Sequence, residues 1–96
     1  MNKKELVNFV AEDAGVTKKD ANTLVNSVIE GIKNGLLSDA KVGLVGFGTF
    51  SLAKRNARTA RNPQTGEAIA VPEKIVPKFK ASNTLKETVA HTELED

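Results

Sequence analysis

From Ala53 to Ala68 the chain reads AKRNARTARNPQTGEA, and between Leu52 and Ile69 there is no large apolar side chain. A stretch of that length with nothing to bury fits neither an interior strand nor a core-facing helix. At its middle, Asn62-Pro63-Gln64-Thr65-Gly66 is turn chemistry. Residues 53–71 are therefore predicted to form a long hairpin that projects into solvent as an arm. An isolated two-stranded ribbon is marginally stable in water. The arm is expected to be mobile until a partner orders it.

The rest of the chain must supply the fold. Asn2 and Glu5 have capping-box spacing, Leu6, Val7, Val10, Ala11 and Ala14 follow at helical period, and Gly15 offers a stop. Thr17 and Asp20 open a second helix, whose stripe is Ala21, Leu24, Val25, Val28, Ile29, Ile32 and Leu36. This helix is predicted to end near Leu37. Strands follow: Val42 and Leu44 alternate, Gly46-Phe47-Gly48 turns the chain, and Phe50 and Leu52 resume the alternation. The return strand runs through Ile69 and Val71 to Ile75, Val76 and Phe79. Pro72 and Pro77 require it to be an edge, bulged or broken there. A short last helix begins near Ser82 or Asn83.

A single domain of 96 residues buries only about 60–65% of its unfolded surface. This one has four Phe, no Trp or Tyr, and no Cys to staple it. A second subunit is expected to complete the core. There is no signal-peptide run and no apolar stretch long enough for a membrane span, so the chain reads as soluble and intracellular. The absence of Cys suits a reducing cytoplasm and rules out a Cys-based zinc site.

The net charge of +2 hides an uneven distribution. Residues 54–80 carry Lys54, Arg55, Arg58, Arg61, Lys74, Lys78 and Lys80 against Glu67 and Glu73. Residues 81–96 carry Lys86 against Glu87, Glu93, Glu95 and Asp96. Such local basicity points to a polyanionic partner. Arginine suits phosphates and narrow minor grooves, because its planar fork donates several hydrogen bonds while carrying charge. Arg55, Arg58 and Arg61 recur every third residue, so a twist or bulge is needed to align them on one face. Pro63 is rigid, apolar and without an N–H. Those properties suit a wedge between base pairs, with Asn62 and Gln64 beside it able to reach groove acceptors. Prolines are more often plain turn formers; the flanking arginines favour the wedge.

The segment GFGTFSLAKRNARTARNPQTGE, together with the opening MNKKELVNFVAEDAGVTKKDA, resembles the bacterial histone-like HU / integration host factor family over residues 1–90. The shared pattern runs Gly46-Phe47, Phe50, Arg55, Arg58, Ala60, Asn62-Pro63 and Thr65. The resemblance implies an α+β fold: an intertwined dimer with a helical base, a β-sheet saddle and two protruding β-hairpin arms. Residues 1–39 would form the base, 40–52 and 72–81 the sheet, 53–71 the arm and 82–90 the last helix, with 91–96 an acidic tail. It implies Pro63 as the intercalating residue, Arg55, Arg58 and Arg61 as arm contacts, and Lys3, Lys80 and Lys86 as phosphate contacts on the flank. Lys54, Asn62, Gln64 and Thr65 complete the expected DNA-binding set. Minor-groove bending by wedges is the family's own known mechanism, carried over by likeness. Some positions depart from the pattern. Ala60 stands where glycine is common, Ala53 where a basic residue is frequent, Ala81-Ser82 where Pro-Gly is usual, and Asn26 where an acidic partner of Lys3 is often found.

The expected function is architectural: a homodimer that binds duplex DNA through the minor groove with little sequence preference, bends it, and compacts a nucleoid or phage genome. A heterodimer with a related chain is an open alternative, as is a site-specific bender of the integration-host-factor type. A helix-turn-helix regulator is a weaker alternative. Ala11, Gly15 and Ala21 match that motif's small positions. However, the second helix spends its stripe on burial and exposes Asn22, Asn26 and Glu30. No enzyme is expected, since the only His is His91 in the tail and no nucleophile–base pair can be assembled. No cofactor, metal, membrane or small-molecule substrate is expected.

Overall fold

The structure is a computed structural model describing residues 1–94. Glu95 and Asp96, the end of the expected acidic tail, lie outside the described residues. Among those described, the chain is α+β, with three helices and five strands that pair only antiparallel. It divides into two compact units, Met1–Ser38 and a second beginning at Asp39.

In the first unit the helix starts are made by side chains that satisfy otherwise unpaired N–H groups. The Glu5 N–H donates to Asn2 Oδ1 at 2.9 Å, opening α1 (Lys3–Ala14). The Asp20 N–H donates to Thr17 Oγ1 at 3.1 Å, at the start of α2 (Lys18–Asp39). Caps of this kind contribute about 1 kcal/mol each. Gly15 ends α1 in the left-handed region, φ 68°, and its N–H bonds to the Ala11 carbonyl. α2 runs two residues past the end expected near Leu37. Ser38 and Asp39 both accept helical geometry, and the stop is made by Ala40, which takes a left-handed φ of 59°. The Ala40 carbonyl then accepts the Leu52 N–H at 3.1 Å, starting the sheet.

The core of this unit is small. Val7, Ala11, Ala21 and Val25 are buried, with Val10 and Val16 packed against them. Much of the remaining apolar surface lies open: Phe9 is 55% exposed, Leu24 49% and Val28 61%, with Leu6 and Ile29 also exposed, while Val10, Ile32 and Leu36 are half-buried. Contiguous apolar surface of this kind marks an interaction face.

In the second unit β1 (Lys41–Leu44) turns through Val45-Gly46 into β2 (Gly48–Arg55), with the Phe47 N–H bonded to the Leu44 carbonyl at 3.0 Å. The chain continues as β3 (Arg58–Arg61), returns as β4 (Ala68–Val71), and descends as β5 (Lys74–Ala81). β1, β2 and β5 form one sheet in that order, while β3 and β4 form a separate ribbon. The two break at one level, where Asn56-Ala57 on one strand stands across from Pro72-Glu73 on the other. Pro77 lies within β5, which is an edge strand and tolerates its missing N–H. Phe79 packs against Phe50 and Phe47, with ring centroids 4.8 and 5.4 Å apart. Ser82 caps α3 (Asn83–Val89) by accepting the Leu85 N–H at 3.0 Å. The Ser82 N–H in turn bonds the Phe47 carbonyl at 2.9 Å.

Candidate nucleic-acid interface

Strand alternation and register together sort the sheet's side chains onto two faces. Phe50 pairs with Phe79, Leu52 with Pro77 and Lys54 with Ile75, and Val42 and Leu44 of β1 share their side. That face is apolar apart from Lys54. On the opposite face Thr49 pairs with Lys80, Ser51 with Lys78, Ala53 with Val76 and Arg55 with Lys74, and Lys41 stands across from Ser51. Five cations therefore share a surface whose other side chains are mostly small, and no strand residue on it is acidic. A flat basic surface with short side chains between the cations lets a polyanion approach closely.

The ribbon extends this chemistry. Arg58 pairs with Val71 and Ala60 with Ile69 on one face; Thr59 pairs with Ala70 and Arg61 with Ala68 on the other. β3 has no bulge that would bring its two arginines to one side, so Arg58 and Arg61 point to opposite faces. At the tip Pro63, Gln64, Thr65 and Gly66 are exposed and Asn62 is half-buried. The Gly66 N–H donates to the Asn62 carbonyl at 2.8 Å, and the Asn62 N–H to the Glu67 carbonyl at 2.9 Å. The Gln64 N–H donates to Asn62 Oδ1 at 2.9 Å, and the Glu67 N–H to Thr65 Oγ1 at 3.3 Å. A long 3.5 Å contact joins Arg61 Nη1 to the Gly66 carbonyl.

Lys54 is held differently from the other expected cations. Its Nζ lies 3.2 Å from Glu73 Oε1, with both side chains more than half exposed. Lys86 is exposed on α3, and Lys3 is exposed at the start of α1 beside Lys4, Asn8 and Lys18 in the helical unit. The residues brought together in the second unit are Arg55 and Lys80 on the sheet face, and Arg58, Arg61 and residues 62–65 on the ribbon. Sequence reasoning passed over Lys41, Lys74 and Lys78 as site residues. The period-two pattern of KIVPKFKA, which puts Lys74 and Lys78 on one side with Lys80, was the signal that could have found those two; Lys41 joins them only through the β1–β2 register.

The sequence profile of the family described as "Bacterial DNA-binding protein" matches residues 1–90. This chain belongs to that family, in its HU branch. It is 51% identical over 89 residues to DNA-binding protein HU of Staphylococcus aureus, which covers 93% of this chain and 99% of the relative. It is 49% identical over 90 residues to DNA-binding protein HU 1 of Bacillus subtilis, covering 94% and 98%. Among solved structures, an Anabaena HU–DNA cocrystal structure superposes with a TM-score of 0.87 at 46% identity, covering 95% of this chain and 99% of that one. HU from Thermotoga maritima gives 0.65 at 36% identity, covering 93% and 98%.

HU-family proteins are DNA-binding proteins and not enzymes, which accounts for a polar surface built from cations and amides. The α+β architecture agrees with the HU structures. Among the described residues, no helix is long and apolar enough to cross a membrane.

Proposed function

We propose that two copies of this HU-family chain associate through their exposed apolar faces and together bend duplex DNA with little sequence preference. The observation that carries this reading is a basic sheet face that leads into a ribbon without a core, which ends in an exposed proline. The sheet cations Lys41, Arg55, Lys74, Lys78 and Lys80 meet phosphates. Lys86 is a further phosphate contact, as are Lys3 of the helical unit and, once released from Glu73, Lys54 on the other face of the sheet. The ribbon enters the minor groove. Arg58 and Arg61, on its two faces, address opposite walls of that groove, a better use of the alternation than aligning both on one side. Gln64 and Thr65 lie beside the point of entry.

Pro63 is the wedge. Its ring is apolar and fixed in φ, and it has no donor to leave unsatisfied, so partial unstacking of a base step is compensated by the DNA surface that bending brings into reach. Two such kinks in one complex compact the DNA of a nucleoid or of a phage genome. The affinity of this mode comes mainly from phosphate neutralisation and is largely indifferent to sequence.

The test is end-to-end fluorescence transfer on a short duplex saturated with protein. Pro63→Ala should bend the duplex less than the parent while its Kd stays within about threefold. An unaltered bend angle would defeat the wedge.

A further inference from the structure

We infer that Asn62 is a positioning residue for Pro63, which it holds through its side-chain oxygen, and not a reader of the groove through its amide. This rests on the wedge reading of Pro63 given above. Three polar groups of Asn62 are already committed within the tip. Its Oδ1 accepts from Gln64 N at 2.9 Å, its carbonyl from Gly66 N at 2.8 Å, and its N–H donates to the Glu67 carbonyl at 2.9 Å. Only the carboxamide NH2 is left over, on a residue that is half-buried while residues 63–66 are exposed.

The bond to Gln64 closes a turn around the proline, with Pro63 the one residue between the acceptor and the donor. It therefore fixes the direction in which the ring points. It also removes a penalty. When the ring enters a base step, water is stripped from the next N–H along the chain, that of Gln64. An unpaired donor in such surroundings costs the full desolvation of the group. With Asn62 Oδ1 already bound to it, the wedge enters with no orphan donor on either side: proline has none, and that of Gln64 is satisfied. The chemistry required at position 62 is thus a short side chain ending in an acceptor.

Four variants of the full chain separate the roles, measured by bend angle at saturating protein and by amide hydrogen exchange in the free protein. Asn62→Ala and Asn62→Gln lose the turn, the first because it has no acceptor and the second because its side chain is one methylene too long. Both should bend DNA as weakly as Pro63→Ala, and their Gln64 amide should exchange about tenfold faster. Asn62→Asp keeps the acceptor and loses the NH2. It should retain the parental bend and slow Gln64 exchange, although its charge weakens Kd. A parental bend in Asn62→Ala, or a bend kept by Asn62→Gln and lost by Asn62→Asp, overturns the inference in favour of no role or of groove reading. Gln64 exchange unchanged in Asn62→Ala overturns it as well. A parental bend in Pro63→Ala is a different failure: it removes the wedge and, with it, the role assigned to Asn62.

Discussion

Gly48 sits directly against the ring of Phe79. A Cβ added there would lie 2.5 Å from Phe79 Cζ and 2.7 Å from the Lys80 carbonyl oxygen. Gly48 is buried at the start of β2, where it pairs with Ala81, so the strands close there only because position 48 has no side chain. Gly48→Ala should destabilise the protein by about 2 kcal/mol or more, at the upper part of the usual range for overpacking. Thermal or urea unfolding checks this. The double variant Gly48→Ala/Phe79→Ala should not recover, because the backbone oxygen of Lys80 still blocks the methyl group.

The exposed stripe of Phe9, Leu24 and Val28 leads to an expectation about concentration. If a second copy covers it, folding and association are linked, and the unfolding midpoint must depend on protein concentration. A hundredfold increase should raise Tm by roughly 5–10 °C for a dimer of this size. A midpoint constant from 1 to 100 µM would show that the monomer is stable with its apolar face bare.

Glu73 restrains Lys54. The pair is exposed on both sides, so its contribution to stability is about 1 kcal/mol or less. Glu73→Gln should leave Tm nearly unchanged yet tighten DNA binding. Two lysines freed per dimer should steepen the log–log salt dependence of Kd by about 1.8. Titrations between 50 and 200 mM salt check this, and an unchanged slope would mean that Lys54 does not reach phosphate.

Lys78, at the middle of the basic face, should matter in the opposite sense. Lys78→Ala removes one cation per protomer and should make the same slope shallower by about 1.8. Lys33, paired with Glu30 on α2 at 3.2 Å, serves as the control, and Lys33→Ala should leave the slope unaltered.

What the sequence made legible was decided within a few residues. The caps at Asn2 and Thr17, the left-handed Gly15, the turn at Asn62–Gly66 and the coreless arm between Leu52 and Ile69 each depend on near neighbours. Much of what it hid was decided across the fold. Lys74 and Lys78 join Arg55 only through a register that pairs Arg55 with Lys74 and Ser51 with Lys78, 19 and 27 positions apart. The Glu73 partner of Lys54 is hidden for the same reason. α2 runs to Asp39 and not to the expected Leu37, because no local pattern marks Ala40 as the residue that adopts positive φ. The chemical type of Asn62 suggests a groove contact; that its oxygen also has a partner two residues on emerges only in the folded tip.

The alternation along β5 also limits how this protein can change. Lys78 and Lys80 on one side and Pro77 and Phe79 on the other are interleaved one for one. Gaining or losing a single residue there would invert the alternation beyond it, turning rings onto the basic face and ammonium groups onto the apolar one. Residues are gained or lost at least cost at the joints at 56–57 and 72–73 and at the tip, where the ribbon can lengthen or shorten without inverting the faces of the sheet.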